Sequence, residues 1–322
     1  MDDTQSDATS CSTPRPKRAT TKISPKQTKK IAVLSGGGAR GLIQVSCIAE
    51  LQKAGKKDFS SYDLIVGSSA GAINGTILAL KVMNPEQLLF IYPEMLDTIF
   101  KKKLFHFVPV YDRKNFLECW TKYIQSGTRL KDCKIWMVLS SVDVCSDTTR
   151  FFKSWEDMDG NMPAAEAVMR SFAAPYYFGQ INDPPEQKVW YDGGCGSYNI
   201  PIDFGWTEAL IQNWVGNYNI EIDAYGTGFS NTDIPFSRAS KQGFLSQVWN
   251  FLFPSEGGMA RAQSRLDQVR RMTKIATCTP GVTFEYYDIE IPANLDKMDD
   301  ITHQKEYIEF GKRMAVGPLV SK

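Results

Sequence analysis

An α/β fold, with a mostly parallel central sheet flanked by helices, is predicted by three observations. A short apolar run, Ile31-Ala32-Val33-Leu34, enters a glycine-rich loop and opens into a helical pattern. A second run, Tyr62-Asp63-Leu64-Ile65-Val66, enters Gly67-Ser68-Ser69-Ala70-Gly71 and again opens into a helical pattern. Strand and helix thus alternate twice within a short stretch, which is the mark of parallel strands joined by crossover helices.

The elements follow in order. Leu42 to Lys53 carries apolar residues at 42, 45, 48, 49 and 51, a helical spacing closed by Gly55. Ala72 to Val82 reads as the next helix, and Ile135 to Val142 as a buried strand. Ala164 to Phe172 predicts a helix ended by Pro175. Val189-Trp190-Tyr191 predicts a short strand entering Asp192-Gly193-Gly194. Ile220 to Tyr225 alternates as a strand does, and Phe284 to Ile291 reads as another. Further helices are predicted at 207–215, 242–252, 259–273 and 303–314. No repeat or linker interrupts 30–318, so this span is read as a single domain. Residues 1–29 are rich in Ser, Thr, Pro, Lys and Gln and are expected to form a disordered basic tail.

Composition narrows the function. Lys plus Arg number 37 against 36 Asp plus Glu, a balance that argues against a broad nucleic-acid-binding surface. The chain has two histidines, His106 and His303, so a histidine-rich zinc site is excluded. The cysteines show no paired C-x-x-C spacing and read as reduced thiols. No run of about 18 apolar residues predicts a membrane span. A cytoplasmic protein, peripheral on membranes, is therefore expected.

Two loops carry the chemistry. Parallel neighbouring strands bring the loops at their carboxyl ends to one rim, where ligands bind in such sheets. Gly67-Ser68-Ser69-Ala70-Gly71 fits G-x-S-x-G between a strand and a helix, the context in which Ser69 is a nucleophile. Gly36-Gly37-Gly38-Ala39-Arg40-Gly41 fits G-x-G-x-x-G. A dinucleotide site wants an acidic residue ending the second strand, which instead ends in Gly67 and Ser68. A P-loop wants Gly-Lys-Ser/Thr, but Leu42 and Ile43 follow Gly41. An oxyanion hole, in which backbone N–H groups converge on a developing negative charge, is the reading that explains why the loop faces a serine.

A serine hydroxyl needs a base. His303 opens a C-terminal helix, and the order Ser69, Asp192, His303 matches that of α/β-hydrolases. The alternative base is Asp192 itself, at a strand end before Gly193 and Gly194. An ordinary carboxylate near pKa 4 is a weak base, and burial beside apolar groups would strengthen it.

The three motifs together resemble the patatin-like phospholipase family, whose members carry a G-G-G-x-R-G loop, a G-x-S-x-G elbow and a D-G-[AG] motif in that order. Ser171-Phe172-Ala173-Ala174-Pro175-Tyr176-Tyr177-Phe178 is similar to the family's segment before its aspartate, and Ala224-Tyr225-Gly226-Thr227-Gly228 to its following strand and turn. The resemblance covers roughly 30–315. It implies a patatin-like three-layer architecture and a Ser–Asp dyad without a catalytic histidine, Ser69 as nucleophile and Asp192 as base. It implies an oxyanion loop of Gly36, Gly37, Gly38, Arg40 and Gly41, with Gly67 and Gly71 shaping the elbow. The implied chemistry is phospholipase A-type hydrolysis of lipid acyl esters, with no metal or other cofactor. One departure is visible: Asn199 and Pro201 fall about one residue late after Gly194, which puts the nearby pocket wall in doubt.

A lipase must meet a lipid surface. Phe244, Leu245, Val248, Trp249 and Leu252 share one helical face, with Phe251 and Phe253 adjacent, and read as a docking helix or as a core helix. Lys101 to Phe107 is a second docking candidate. Arg261, Arg265, Arg270 and Arg271 read as an anion-binding face or as a solvated one. The partner expected is a phospholipid or other lipid ester, met by peripheral membrane contact, and no nucleic acid polymer. A histidine-dependent esterase and a non-catalytic nucleotide- or lipid-binding module are the rival classes.

Overall fold

The computed structural model describes residues 26–103, 108–230 and 259–322. Among them one nine-stranded sheet forms. Its strands are β1 (Thr28–Leu34), β2 (Leu64–Ser68), β3 (Trp136–Asp143), β4 (Thr148–Lys153), β5 (Ile181–Asp183), β6 (Lys188–Asp192), β7 (Asn219–Tyr225), β8 (Val282–Tyr287) and β9 (Val320–Ser321). The order is β5-β6-β3-β2-β1-β7-β8-β9, with β4 also paired to β3. The five central strands, β3, β2, β1, β7 and β8, are mutually parallel, and the flanking pairs are antiparallel.

The helices are α1 (Gly41–Lys53), α2 (Ala70–Ala79), α3 (Pro85–Ile99), α4 (Arg113–Tyr123), α5 (Asp157–Gly160), α6 (Ala164–Ser171), α7 (Ile202–Ile211), α8 (Met259–Cys278) and α9 (Gln304–Met314). Alternate strand residues feed two separate cores. Ala32, Leu34 and Ile65 pack with α1, α2, α3, α4, α6 and α9. Ile31, Val33, Leu64 and Val66 pack with α7 and α8 on the other face. The result is a three-layer arrangement of helix, sheet and helix. Burial on both faces is why β1 and β2 read as unbroken apolar runs.

The predicted strands and helices outside 242–252 are all present, with shifted ends. β1 begins at Thr28, inside the stretch expected to be tail, because Lys29 pairs with Asp63 at 2.7 Å and its backbone joins β7. α2 stops at Ala79, before Lys81 turns to φ 56°. α7 starts at Ile202 and ends before Asn213, at φ 55°. β8 stops at Tyr287, before Asp288. The expected disordered tail lies outside the described residues up to residue 25, as does the helix at 242–252.

α3 and α4 were not anticipated. Pro93 in its interior disguises α3, yet its start carries Pro85 at the first helical position and a full capping box: the Asn84 side chain accepts from Gln87 N and the Gln87 side chain from Asn84 N. α4 is capped by Asp112, whose carboxylate accepts from Lys114 N. β4, β5 and β9 are short or half-exposed, and their alternation is weak.

A partly buried charge cluster ties the loop after α1 to the sheet. Lys57 Nζ reaches Glu221 and Asp223 at 2.9 Å and Glu285 at 3.0 Å. Asp223 is fully buried, and burial pushes its carboxyl up to about 6. The fold therefore holds that proton more tightly than the unfolded chain does. This contribution is complete below about pH 4 and is lost as pH rises through about 6. Lys57→Met leaves Asp223 and Glu285 without their cation and Glu221 with Lys30 alone, at 3.8 Å. It is expected to lower stability by about 3 kcal/mol at pH 8. The loss should shrink at pH 5.5, below the point near 6 to which burial pushes Asp223, where that carboxyl is largely protonated. Urea unfolding of both proteins at the two pH values checks this, and a pH-independent loss would contradict it.

Candidate active site

Ser69 sits at the turn between β2 and α2 with φ 51° and ψ −118°. A non-glycine residue held there stores about 1–3 kcal/mol of strain. The neighbouring glycines let the turn close. A Cβ on Gly67 would lie 2.5 Å from Gly71 O, and one on Gly71 would lie 2.2 Å from Leu34 O. Those contacts are with backbone, so no side-chain adjustment relieves them. The Ser69 hydroxyl emerges at the N-terminus of α2, where helix dipoles favour negative charge.

β3 brings Asp192 to it. β4 takes one edge of β3 from Val138 to Asp143. The other edge is shared end to end: β2 pairs with it as far as Ser140, and β6 pairs from Ser141 onward. β2 and antiparallel β6 therefore run toward each other, and their ends meet. Ser69 Oγ donates to Asp192 Oδ2 at 2.7 Å, and Asp192 Oδ1 accepts from Gly194 N at 2.6 Å. Ser69 and Asp192 are 8% and 7% exposed, which keeps the pair largely out of bulk water. Gly193 passes so close to β3 that a Cβ would lie 2.4 Å from Ser140 O.

The glycine loop lies against this pair. A Cβ on Gly36 would come within 2.9 Å of Ser69 Cβ, and Gly38 adopts φ +58° beside Met298 O. Gly36 N, Ala39 N and Arg40 N donate to Asn199 O, Met298 O and Gly37 O. Among the described residues, the N–H groups of Gly37 and Gly38 have no backbone acceptor. Gly41 is a packing glycine, with Tyr92 Oη 2.4 Å from its would-be Cβ. The Arg40 side chain turns away from Ser69 and pairs with Asp296 and Gly228 O. Asn199, one residue late in the sequence, still braces Gly36 through its backbone oxygen at 2.8 Å.

Two cavities flank the loop. One contains Ser69, Asp192 and Gly38 and is walled by apolar side chains: Tyr92, Met95, Leu96 and Ile99 of α3, facing Phe172 and Phe178. Burial pushes the Tyr92 phenol above its usual range, so it stays neutral. This wall was missing from the sequence reading because α3 was. The capping box at Asn84 and the apolar spacing of 88, 92, 95, 96 and 99 were the available signals. The second cavity borders Gly36 and Gly37 and mixes apolar walls with the charged side chains of Arg40, Arg265, Asp288 and Asp296.

Other candidates fall elsewhere. His303 caps α9, and its Nδ1 lies 2.8 Å from Asp300 Oδ2. His106 and the aromatic residues of 244–253 lie outside the described residues, as does the Arg261 side chain. Arg265 stacks over Phe229 at 4.0 Å and pairs with Asp288, while Arg270 pairs with Asp267 and Arg271 with Asp203. Of the basic candidate at 101–107, Lys101 and Lys102 are described and exposed. No described helix is long and apolar enough to cross a membrane.

The model of the patatin-like phospholipase family matches residues 32–206, more than half of the chain and the stretch holding the glycine loop, Ser69 and Asp192. The chain belongs to the patatin-like phospholipase family. Its lipid acyl hydrolase character follows from that membership. It is 26% identical over 255 residues to a cGAMP-activated phospholipase of Vibrio cholerae, spanning 70% of this chain and 71% of that protein. It is 30% identical over 190 residues to a cGAMP-activated phospholipase of Pseudomonas aeruginosa, spanning 55% of this chain and 56% of that one. Among solved structures, VipD from Legionella pneumophila aligns with 91% of this chain and 66% of its own at 12% identity and a TM-score of 0.43.

The backbone contact at the elbow makes one substitution diagnostic. Gly71→Ala is expected to cost at least about 2 kcal/mol of stability. It should also slow covalent labelling of Ser69 by a fluorophosphonate about 100-fold, because the hydroxyl is displaced. Melting and labelling rates measure the two effects, and normal labelling would show that the elbow tolerates a side chain.

Proposed function

We propose that the chain is a metal-independent phospholipase A that cleaves phospholipid acyl esters through a Ser69 acyl-enzyme, with Asp192 as the base. The observation that carries this reading is the direct 2.7 Å hydrogen bond from Ser69 Oγ to Asp192 Oδ2. A base within that reach can take the hydroxyl proton as the oxygen attacks. The acyl chain lies in the apolar cleft between α3 and Phe172, and the ester carbonyl sits over Ser69. The negative oxygen of the tetrahedral intermediate is met by the uncommitted N–H groups of Gly37 and Gly38. Collapse expels the lysolipid, which takes the proton from Asp192. A water activated by Asp192 then attacks the acyl-enzyme, releases the fatty acid and regenerates Ser69. His303, hydrogen-bonded to Asp300, takes no part.

The reading extends to place and control. Lys101 follows the cleft residue Phe100, and Tyr176, 57% exposed, precedes the cleft residue Tyr177. A bridge from Lys102 to Tyr111 and a hydrogen bond from Val110 N to Tyr176 O join the two segments, with Val108, 65% exposed, two residues before Val110. That mix of apolar and basic side chains suits peripheral contact with a membrane from the cytoplasm. Both bacterial relatives are named as cGAMP-activated, which supports a nucleotide signal as activator of this chain too.

Fatty-acid release from phospholipid vesicles tests this, with a chelator present and with or without cGAMP. Ser69→Ala and Asp192→Asn are expected to lose at least ~10³-fold in rate, and His303→Ala to stay within about twofold. Loss of activity in a folded His303→Ala protein would overturn the dyad. A wild-type protein inactive on every vesicle under both conditions would overturn the phospholipase reading.

A further inference from the structure

We propose that Ser171 is a positioning residue for the reaction, holding the Ser69 backbone in register with Asp192 through its own hydroxyl. The inference rests on the Ser69–Asp192 reading and adds a group that touches neither the substrate nor the reacting atoms.

The Ser69 main chain is strained at φ 51°, and its N–H is buried. That N–H finds its acceptor in Ser171 Oγ at 3.1 Å. Ser171 ends α6 and is fully buried. Two residues later, Ala173 O accepts from Asp192 N at 3.0 Å. One short segment therefore holds the backbone of both members of the pair, each by one hydrogen bond. The segment is itself stitched to the same place. The Ser141 hydroxyl lies 2.9 Å from Arg170 O and 2.8 Å from Tyr191 O, joining the residue before Ser171 to the residue before Asp192. Arg170 anchors the end of α6 further through a 2.7 Å pair with Asp183 of β5.

The arrangement matters because the Ser69–Asp192 bond cannot define its own geometry. The serine hydroxyl must leave Asp192 and approach a carbonyl during attack, so the alignment has to survive the loss of that bond. A backbone hydrogen bond on the far side of Ser69 does this. Without the Ser171 acceptor, the elbow is free to relax toward an unstrained φ and carry Oγ off its line.

The test compares Ser171→Ala, the near-isosteric Ser171→Cys, whose sulfur is a weak acceptor, and Ser171→Thr, which keeps the hydroxyl. Active sites are counted by fluorophosphonate titration, and kcat and KM are measured per active site on a short-chain ester and on phospholipid vesicles. Ser171→Ala and Ser171→Cys should lower kcat about 10- to 100-fold with KM within twofold on both substrates. Labelling of Ser69 should slow in parallel, and Ser171→Thr should restore kcat to within about threefold. If Ser171→Ala does not fold, the cysteine variant decides. A merely structural role would lower melting temperature and the count of active sites while leaving kcat per site intact, and that result overturns the proposal. Asp192→Asn, run alongside, separates the two readings: retained activity there removes the dyad, whatever the Ser171 variants show.

Discussion

The site depends on how one strand shares an edge. β4 occupies one side of β3, so the opposite side is left to β2 and β6, which meet there end to end between Ser140 and Ser141. β2 delivers a sharp turn and a serine. β6, arriving antiparallel, delivers a carboxylate. Neither loop has to reach far, and the two groups come to 2.7 Å because the sheet ladder has already placed their backbones. Small residues follow from that crowding: Gly193 must slide past Ser140, and Gly67 and Gly71 must let the elbow pass beneath Leu34.

Magnitudes show why the surroundings must hold the serine. A charge-assisted hydrogen bond contributes about 1.5–3 kcal/mol. The strain at Ser69 costs about 1–3 kcal/mol. These nearly cancel, so the Ser69–Asp192 bond leaves little surplus to fix the elbow. The geometry is held instead by the two-sided core around β1 and β2, by the closed glycine contacts, and by the segment from Arg170 to Ala173 that holds both backbones.

The glycine loop divides two environments. On one side, Gly38 faces the apolar cleft with Ser69. On the other, Gly36, Gly37 and Arg40 border a cavity that holds charged side chains, and the Arg40 guanidinium is spent on Asp296 and Gly228 rather than on the cleft. The arginine of the motif thus secures the loop from behind.

Much of this was legible along the chain. The apolar runs before Gly36 and Gly67, the helical spacing after them, and the isolated Asp192-Gly193-Gly194 are local patterns, and local patterns survive in one dimension. They determined the α/β class, the parallel core and the identity of the three motifs. α3 escaped because Pro93 in its interior breaks the usual helix signature, although the Asn84–Gln87 capping box and Pro85 at the first helical position were written in the sequence. With it went the wall of the acyl cleft. The service of Asn199 to Gly36 was also hidden, since a one-residue offset in sequence is absorbed by a turn in space. Only the tertiary structure decided that Ser69 meets Asp192 directly while His303 pairs with Asp300, and that the Ser171 hydroxyl accepts from Ser69 N. Those facts depend on which strands share an edge of β3, and long-range pairing of that kind leaves no periodic trace in the residues that make it.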